Sequence, residues 1–234
     1  MPGRLVRPGG NLLGLRPWYR FIRSLAYGLG RLVWGLRVEG LENVPRTGAL
    51  LVTCNHISNL DPPVVGCTVP RETGFVAKKE LFAVPVLGSL IRSVNAMPLD
   101  RSRLSLEALD RFGDLLRNGG SLVMFPEGTR SRTGRLGKAK IGVGVLLARY
   151  PVTVVPVFVE GTDTLFRSML RRGRMRIVYG RPYALPKGEG SGVPEREEYR
   201  RLAELVLERI RQLKEGSDTS EREAGPPAAE NRKA

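Results

Sequence analysis

The sequence predicts an α/β fold in which helices flank a central, largely parallel mixed sheet. Short apolar runs with the composition of buried strands alternate along the chain with longer stretches whose apolar residues recur at helical spacing. Polar residues that could carry chemistry follow directly after several of these runs. In parallel sheets, ligands bind beyond the carboxyl ends of the strands, so this placement agrees with the predicted class.

The predicted strands are short segments rich in Val, Leu and Phe. They cover residues 49–54, 74–77, 95–99, 121–125, 152–159 and 175–179. The runs at 49–54, 121–125 and 152–159 carry the strongest signal, because nearly every residue in them is apolar. Such runs are typical of strands that are buried on both faces.

Helical patterns separate these strands. Residues 105–118 carry apolar residues at helical spacing and are followed by Gly119 and Gly120, which favour a helix end. Residues 141–150 form a second predicted helix. A long last helix begins at Pro194, with acidic residues in its first turn. Its apolar stripe consists of Tyr199, Leu202, Val206, Ile210 and Leu213.

The chain divides into an N-terminal segment over 1–37, a single folded domain over 38–214 and a polar tail over 215–234. The tail lacks apolar periodicity, which predicts disorder. Aromatic and basic residues mix between Pro17 and Leu36, as in an amphipathic helix that lies in a membrane headgroup region. The alternative is a helix packed on the domain's own core, and both can hold together. No uninterrupted apolar stretch is long enough to predict a spanning helix.

The charge balance points to polyanionic partners. Lys and Arg total 38 against 23 Asp and Glu, which gives a net charge of +15. Composition alone does not choose between anionic lipid and nucleic acid. Aromatic residues make up only 6% and concentrate near the N-terminus, so a stacking platform for bases is not evident. We therefore predict no nucleic acid as partner, which leaves an anionic phospholipid membrane or phosphorylated ligands.

The sequence contains few of the Cys and His residues that typically bind a metal ion. Cys54 and Cys67 are read as reduced thiols, and the chain contains one histidine. These residues form no cluster at zinc-binding spacings, so no metal site is predicted.

That histidine, His56, directly follows a predicted strand. Asp61 lies five residues later, before two prolines that favour a helix start, and we expect Asp61 at the helix N-cap. If a turn brings the two side chains together, the carboxylate can orient the imidazole for general-base work. The alternative is a capping Asp61 beside an ordinary loop histidine.

Two further loops follow strands at the same predicted edge. Glu127, Gly128, Thr129 and Arg130 come after the strand at 121–125, and Arg130 offers a planar fork for a phosphate. Arg101 follows the strand at 95–99. In each loop the alternative is a set of solvated turn charges, with Glu127 paired to Arg130. The motifs of serine hydrolases, phosphate-loop kinases and dinucleotide-dependent dehydrogenases are absent from the sequence.

Taken together, the segments resemble the 1-acylglycerol-3-phosphate acyltransferase family within the glycerolipid acyltransferases. Asn55, His56 and Asp61 match its Asn-His-x-x-x-x-Asp block, and residues 125–131 match its Phe-Pro-Glu-Gly-Thr-Arg-Ser block in full. The stretch ending at Arg101 and residues 155–159 resemble two further blocks. Residues 76–82, with Pro85 and Gly88, also look like the family.

Two positions depart from the family pattern. Where members often carry Lys-Lys-Gly-Ala after the third block, residues 138–142 here align only through Lys140 and Gly142. Ile57 follows His56 where many members have a polar residue.

The resemblance implies an acyltransferase domain over 38–214, with His56 as general base and Asp61 as its orienting carboxylate. Arg101 and Arg130, with Glu127 as orienting partner, would hold the acceptor's phosphate. Backbone N–H groups near Gly128, or the Lys140 ammonium, are candidate oxyanion donors, Thr129 lines the same turn, and Asn55 would tether the His56 loop.

The implied reaction moves a fatty acyl group from acyl-CoA or acyl-carrier protein, without a cofactor, to the hydroxyl of lysophosphatidic acid. It would take place at the cytoplasmic face of the cell membrane. The same chemistry on another lysophospholipid, on glycerol-3-phosphate or on a glycolipid stays open. So do a hydrolase, which would pass the acyl group to water, and a non-catalytic basic protein that binds anionic membrane or nucleic acid.

Overall fold

The computed structural model describes residues 16–99, 106–131, 133–163, 175–185 and 195–224. Within them a single sheet of eight strands forms the centre of the domain. The strands are β1 (Arg37–Glu39), β2 (Leu50–Cys54), β3 (Gly74–Lys78), β4 (Ala96–Leu99), β5 (Ser121–Met124), β6 (Thr153–Glu160), β7 (Arg176–Tyr179) and β8 (Tyr183–Ala184).

The strand order is β1-β7-β6-β2-β5-β3-β4, with β8 pairing against β6. The five strands from β6 to β4 run parallel to one another. The strands β7 and β8 run antiparallel to β6, and β1 runs parallel to β7. The predicted class, a largely parallel mixed sheet flanked by helices, is confirmed.

Six helices surround the sheet in the described residues. They are α1 (Pro17–Trp34), α2 (Asp61–Thr68), α3 (Leu87–Ser93), α4 (Leu106–Arg117), α5 (Ile141–Arg149) and α6 (Glu195–Ala224). Short 3₁₀ turns at Leu41–Asn43 and Lys79–Ala83 complete the pattern.

The core is split by the sheet into two layers, as the two-residue period of a strand requires. Leu51 of β2 packs into the layer that contains Phe112 of α4, Leu146 of α5 and Val206 of α6. The neighbours of Leu51 along β2 point into the opposite layer, together with Val65 of α2. Burial on both faces explains why β2 is apolar throughout its length.

Helices α5 and α6 approach closely at Gly144. A Cβ atom at this position would lie 1.8 Å from the backbone oxygen of Tyr199, so only glycine fits. This contact holds the last helix close against α5.

Helix α1 packs on the body through Tyr27 and Trp34, and polar contacts add to this packing. The Tyr19 hydroxyl accepts a hydrogen bond from the Thr73 N–H, and Arg23 donates to the backbone oxygens of Thr68 and Val69 at the end of α2. Burial raises the pKa of Tyr19 to about 12. The helix ends at Trp34. The left-handed backbone of Gly35 then lets its own N–H donate to the Arg31 oxygen and the Leu36 N–H donate to the Gly30 oxygen.

None of the described helices combines the length and apolar character that crossing a membrane requires.

Two predictions about helix limits were wrong. The last helix continues to Ala224, so residues 215–224 are helical rather than a disordered tail. The run from Gly216 to Ser220 consists of weak helix formers, but extending an existing helix costs little per residue, and Glu, Arg and Ala follow at 221–224. Residues 225–234, like 1–15, lie outside the described part.

The other wrong limit concerns α2. The N-cap of α2 is Leu60, and Asp61 is its first helical residue. The Asp61 carboxylate is instead turned toward the loop before the helix.

Candidate active site

The carboxyl ends of β2, β5 and β6 lie side by side, because these strands are parallel neighbours in the sheet. The segments after them carry His56, Glu127 and Thr162 respectively. All of these side chains are buried. The sheet therefore gathers a histidine, a carboxylate and a hydroxyl at one edge.

His56 and Asp61 form a buried pair. The His56 Nδ1 atom lies 2.8 Å from Asp61 Oδ2, although five residues separate them in sequence. The imidazole is 2% exposed and Asp61 is fully buried. Burial this deep leaves little screening of the contact by solvent or salt.

The loop between the two residues makes the pairing possible. The same Asp61 Oδ2 atom accepts hydrogen bonds from the N–H groups of Ile57 and Ser58, each at 2.7 Å. Because this oxygen already accepts two N–H bonds, its contact with the His56 ring is best satisfied by a third donor. The tautomer that this contact favours has the proton on Nδ1 and the lone pair on Nε2.

Thr162 completes the surroundings of Asp61. Its hydroxyl donates to Asp61 Oδ1, and its side chain is 1% exposed. Sequence reasoning missed this residue. Its position two residues after β6 was the available signal, because the segments that follow parallel strands meet at one edge.

Asn55 fastens β2 to β6 beyond the last backbone pair of the ladder. Its side-chain amide donates to the Val159 oxygen at 2.8 Å, and its side-chain oxygen accepts from the Val159 N–H at 2.7 Å. These two bonds fix where the His56 loop leaves the sheet.

Glu127 lies within the same loop cluster and is buried. Its Oε1 atom accepts from the His56 backbone N–H at 3.0 Å, and its Oε2 atom accepts from the Gly137 N–H at 2.7 Å. The Ser131 N–H donates to the His56 oxygen at 2.7 Å. The turn after β5 is thus bonded on both sides to the backbone of His56, and Glu127 does not pair with Arg130.

Gly128 and Lys140 are in contact. Gly128 has a positive φ of 66°, and a Cβ atom there would lie 2.9 Å from Lys140 Cγ. The Gly128 N–H donates to the Phe125 oxygen, and the Lys140 N–H donates to the Pro126 oxygen. The Gly128 amide is therefore occupied, whereas the Lys140 side chain is exposed next to the turn.

The remaining predicted residues are placed as follows. Thr129 and Arg130 are exposed on the turn whose next residue, Ser131, bonds His56. Arg101 lies outside the described residues. Among the residues that the structure describes, no group of His, Cys, Asp and Glu could hold a metal ion.

The ring of Phe125 stacks on the His56 imidazole, with 4.3 Å between ring centroids. Cys54 lies directly before this loop, fully buried. Burial, with the nearby Asp61 and Glu127 carboxylates, raises the pKa of the Cys54 thiol well above its ordinary value. A thiol held neutral in this way is a poor nucleophile.

A cavity of about 310 Å³ lies at the opposite edge of the sheet. It is lined by residues at the start of β2 and β6, including Ala49, Pro151 and Thr153, and by Leu185 after β8. None of the site residues borders it.

Fold and site together define a class: an α/β domain whose parallel sheet presents a carboxylate-held imidazole at its carboxyl edge. Residues 35–160 match the family model described as Acyltransferase. This chain belongs to that family.

Relatives agree with this assignment. A 1-acyl-sn-glycerol-3-phosphate acyltransferase of Bacillus subtilis is 25% identical over 201 residues, which cover 86% of this chain and 98% of the relative. A chloroplastic 1-acyl-sn-glycerol-3-phosphate acyltransferase of Arabidopsis thaliana is 34% identical over 155 residues. That match covers 63% of this chain, and the chain spans less than half of the plant protein, 43% of its length.

A solved structure shares the fold. The crystal structure of the 1-acyl-sn-glycerophosphate (LPA) acyltransferase PlsC from Thermotoga maritima aligns with a TM-score of 0.63 and 27% sequence identity. The alignment covers 87% of this chain and 85% of the other.

Proposed function

We propose that this protein transfers a fatty acyl group from an acyl-thioester to the free hydroxyl of lysophosphatidic acid, which yields phosphatidic acid. Membership of the Acyltransferase family supports acyl transfer. The names of the Bacillus subtilis and Arabidopsis thaliana relatives support lysophosphatidic acid as the acceptor.

The observation that carries the proposal is the buried bond between His56 Nδ1 and Asp61 Oδ2. Because Asp61 fixes the proton on Nδ1, Nε2 is the basic atom of the ring. A neutral imidazole in this tautomer can accept the proton of an alcohol, and general-base help of this kind contributes about 10²–10⁴-fold in rate.

The reaction then needs no covalent enzyme intermediate. His56 Nε2 takes the proton of the acceptor hydroxyl while its oxygen attacks the thioester carbonyl. The tetrahedral intermediate expels the thiolate, which receives that proton from Nε2. Asp61 stabilises the positive ring between these two steps, and the fixed loop limits reorganisation.

Charges around the turn after β5 suit the two anions of this reaction. The Lys140 ammonium is the candidate for the oxyanion, because the Gly128 amide is already bonded. Arg130 and Thr129 are exposed beside the turn and, together with Arg101, would hold the acceptor's phosphate. Glu127 acts through the backbone of His56 and Gly137 and does not pair with Arg130.

The substrates place the enzyme at a membrane. Each CH₂ group of an acyl chain gains about 0.8 kcal/mol on leaving water, so a long chain stays in lipid. We propose peripheral binding to anionic phospholipid at the cytoplasmic face of the cell membrane, with α1 as a docking helix. The donor is acyl-CoA or acyl-carrier protein.

Acyl transfer measured with vesicle-borne lysophosphatidic acid and both classes of donor tests the proposal. His56→Asn retains a group that can donate to Asp61 but lacks the base, so we expect turnover to fall about 10²–10⁴-fold with an unchanged melting temperature. Asp61→Asn should also lower turnover strongly, because the amide no longer holds the ring proton of His56 on Nδ1.

Arg149→Gln is the control. Arg149 is exposed at the end of α5, away from the site, and this variant should retain wild-type turnover. Full activity of folded His56→Asn would refute the proposed base. Preference for an acceptor without phosphate would refute the roles of Arg101 and Arg130, and release of free fatty acid without an acceptor would indicate a hydrolase.

A further inference from the structure

Large apolar side chains that are exposed occur in two stretches of the described chain. The first runs along α1 and contains Trp18, Phe21, Leu25, Leu29 and Leu32. The second lies between β3 and β4 and contains Leu81, Val84, Val86, Leu87 and Leu90. Contiguous apolar surface that stays in water is costly, so its concentration at two places indicates a contact surface.

The second stretch, residues 79–90, is here called the β3–β4 knob. Its tip is Val86, which is 82% exposed and has a φ of 64° and a ψ of −55°. The Leu87 N–H donates to the Pro85 oxygen, so Val86 is the centre of a γ-turn with positive φ. This turn is rare and strained, and a β-branched residue is especially unfavourable there. Strained backbone of this kind clusters at functional sites in folded proteins. The strained and exposed Val86 is therefore expected to have a functional role.

The knob is held rigidly by the residues beneath it. Phe82 is buried, and the Arg92 guanidinium lies 4.8 Å from the centre of its ring and donates to its backbone oxygen. Gly88 is in contact with the same residue, since a Cβ atom there would lie 2.4 Å from the Phe82 oxygen. The apolar tip therefore projects from a fixed base.

The knob is connected to the exposed face of α1. The Trp18 indole N–H donates to the Ser93 hydroxyl at 2.8 Å, and that hydroxyl donates to the Leu90 oxygen. The knob also lies at the site's edge of the sheet, because it begins where β3 ends and β3 is parallel to β5. The segment from the knob to Ser93 therefore connects the edge that carries His56 with the first turn of α1.

We propose that the β3–β4 knob inserts Val86 and its apolar neighbours into an anionic lipid bilayer, as a second contact beside α1. The inference rests on the proposed function, because it explains how lipid substrates reach the edge that carries His56. Exposed basic residues flank the apolar tip, with Lys78 before it and Arg92 after it, against one acidic residue, Glu80. Apolar tips with a basic surround suit the interface of an anionic membrane.

A fluorescent label at the tip tests the insertion. Cys54 and Cys67 are both buried, and burial raises the pKa of Cys67 to about 12, so neither reacts readily in the folded protein. Val86→Cys therefore provides one accessible thiol for an environment-sensitive dye. With phosphatidylcholine vesicles that contain roughly a third phosphatidylglycerol, we expect a blue shift and quenching by lipids brominated in the acyl chain.

The matched control is Ala148→Cys, which is exposed at the end of α5 near the opposite edge of the sheet. Its dye should keep its emission in water. Leu25→Cys on α1 serves as the reference for an inserted site. If the dye at Leu25 responds and the dye at Val86 does not, the knob stays in water and the proposal is overturned, as it is if neither dye responds.

A second variant separates binding from chemistry. Val86→Gly combined with Leu87→Asp removes the apolar tip, relieves the strained backbone and places a carboxylate in the first turn of α3, where it is tolerated. We expect vesicle partitioning to fall at least about tenfold, with the melting temperature unchanged and transfer between short-chain soluble substrates retained. Unchanged partitioning would overturn the inference. Absent acyl transfer in the wild type, with normal insertion of the tip, would instead overturn the proposed function alone.

Discussion

The Asp61 carboxylate is the residue on which the site's geometry depends. Its two oxygens accept from the backbone of Ile57 and Ser58, from His56 and from the Thr162 hydroxyl. The contact between His56 and Asp61 could be expected from the sequence, because a single short loop joins the two residues. The Thr162 contact was not, since 101 positions separate the two residues and only the packing of β6 beside β2 brings them together.

Thr162→Val tests the importance of this distant hydroxyl. The change is nearly isosteric, but it removes a donor to a buried charge, and such bonds contribute about 1.5–3 kcal/mol. We expect kcat to fall roughly ten- to a hundredfold while KM for both substrates changes little. Steady-state kinetics measure kcat and KM, and a thermal unfolding curve shows whether the variant is folded.

Thr162→Ser restores the hydroxyl without the methyl group and should recover most of the lost rate. If the serine variant is as slow as the valine variant, the methyl packing matters and the hydrogen bond does not. Wild-type kinetics in Thr162→Val would show that Asp61 is held sufficiently by the loop N–H groups.

Among the strands, predictability follows the apolar content of the sequence. All six predicted strands agree with β2 to β7 within one residue at each end, because each carries a short, mostly apolar run. The three-residue strand β1 and the two-residue strand β8 escaped prediction. Arg37 and Glu39 give β1 no apolar pattern, and its existence depends on pairing with β7, more than a hundred residues later.

The β1–β7 pair is reinforced by an ion pair with a defined pH dependence. The Arg176 guanidinium donates two bonds of 2.8 Å to the Glu39 carboxylate and holds the pKa of that carboxyl below its usual value. A carboxyl whose pKa is lowered by folding stabilises the protein above its unfolded pKa, and that contribution is lost as the pH falls through the folded pKa.

Glu39→Gln should therefore destabilise the domain at pH 7 and have a diminishing effect as the pH falls below about 4, toward the lowered folded pKa. Glu39 is about half exposed, and solvent screening limits the expected loss to less than about 1 kcal/mol. Urea unfolding curves at several pH values measure it.

Glu42→Gln is the control, an exposed carboxylate three positions later that should have no such pH-dependent effect. A destabilisation by Glu39→Gln that stays constant with pH would contradict the ion-pair explanation.

In the whole molecule, charge and apolar exposure together favour a membrane over the other polyanions. The net charge of +15 attracts any polyanion, including DNA. The exposed apolar residues of α1 and the β3–β4 knob cannot be buried against a charged phosphate backbone. They can be buried in the apolar interior of a bilayer. The two attractions differ in their response to salt, since salt screens charges and leaves apolar burial intact or stronger.

Raising the salt concentration should therefore separate the two kinds of binding. Between about 50 mM and about 500 mM NaCl, we expect binding to duplex DNA to disappear, because released counterions drive it. Binding to anionic vesicles should weaken about tenfold and then level off at the affinity for neutral vesicles, where the apolar surfaces act alone.

Flotation with vesicles and fluorescence anisotropy with labelled DNA, on the same protein preparation, give both curves. The Val86→Gly/Leu87→Asp variant should lower the plateau for vesicles and leave the DNA curve nearly unchanged, apart from the effect of one added negative charge. If vesicle binding instead falls to zero along with DNA binding, the chain is held at lipid by charge alone. The apolar face of α1 and the β3–β4 knob would then have to serve another partner.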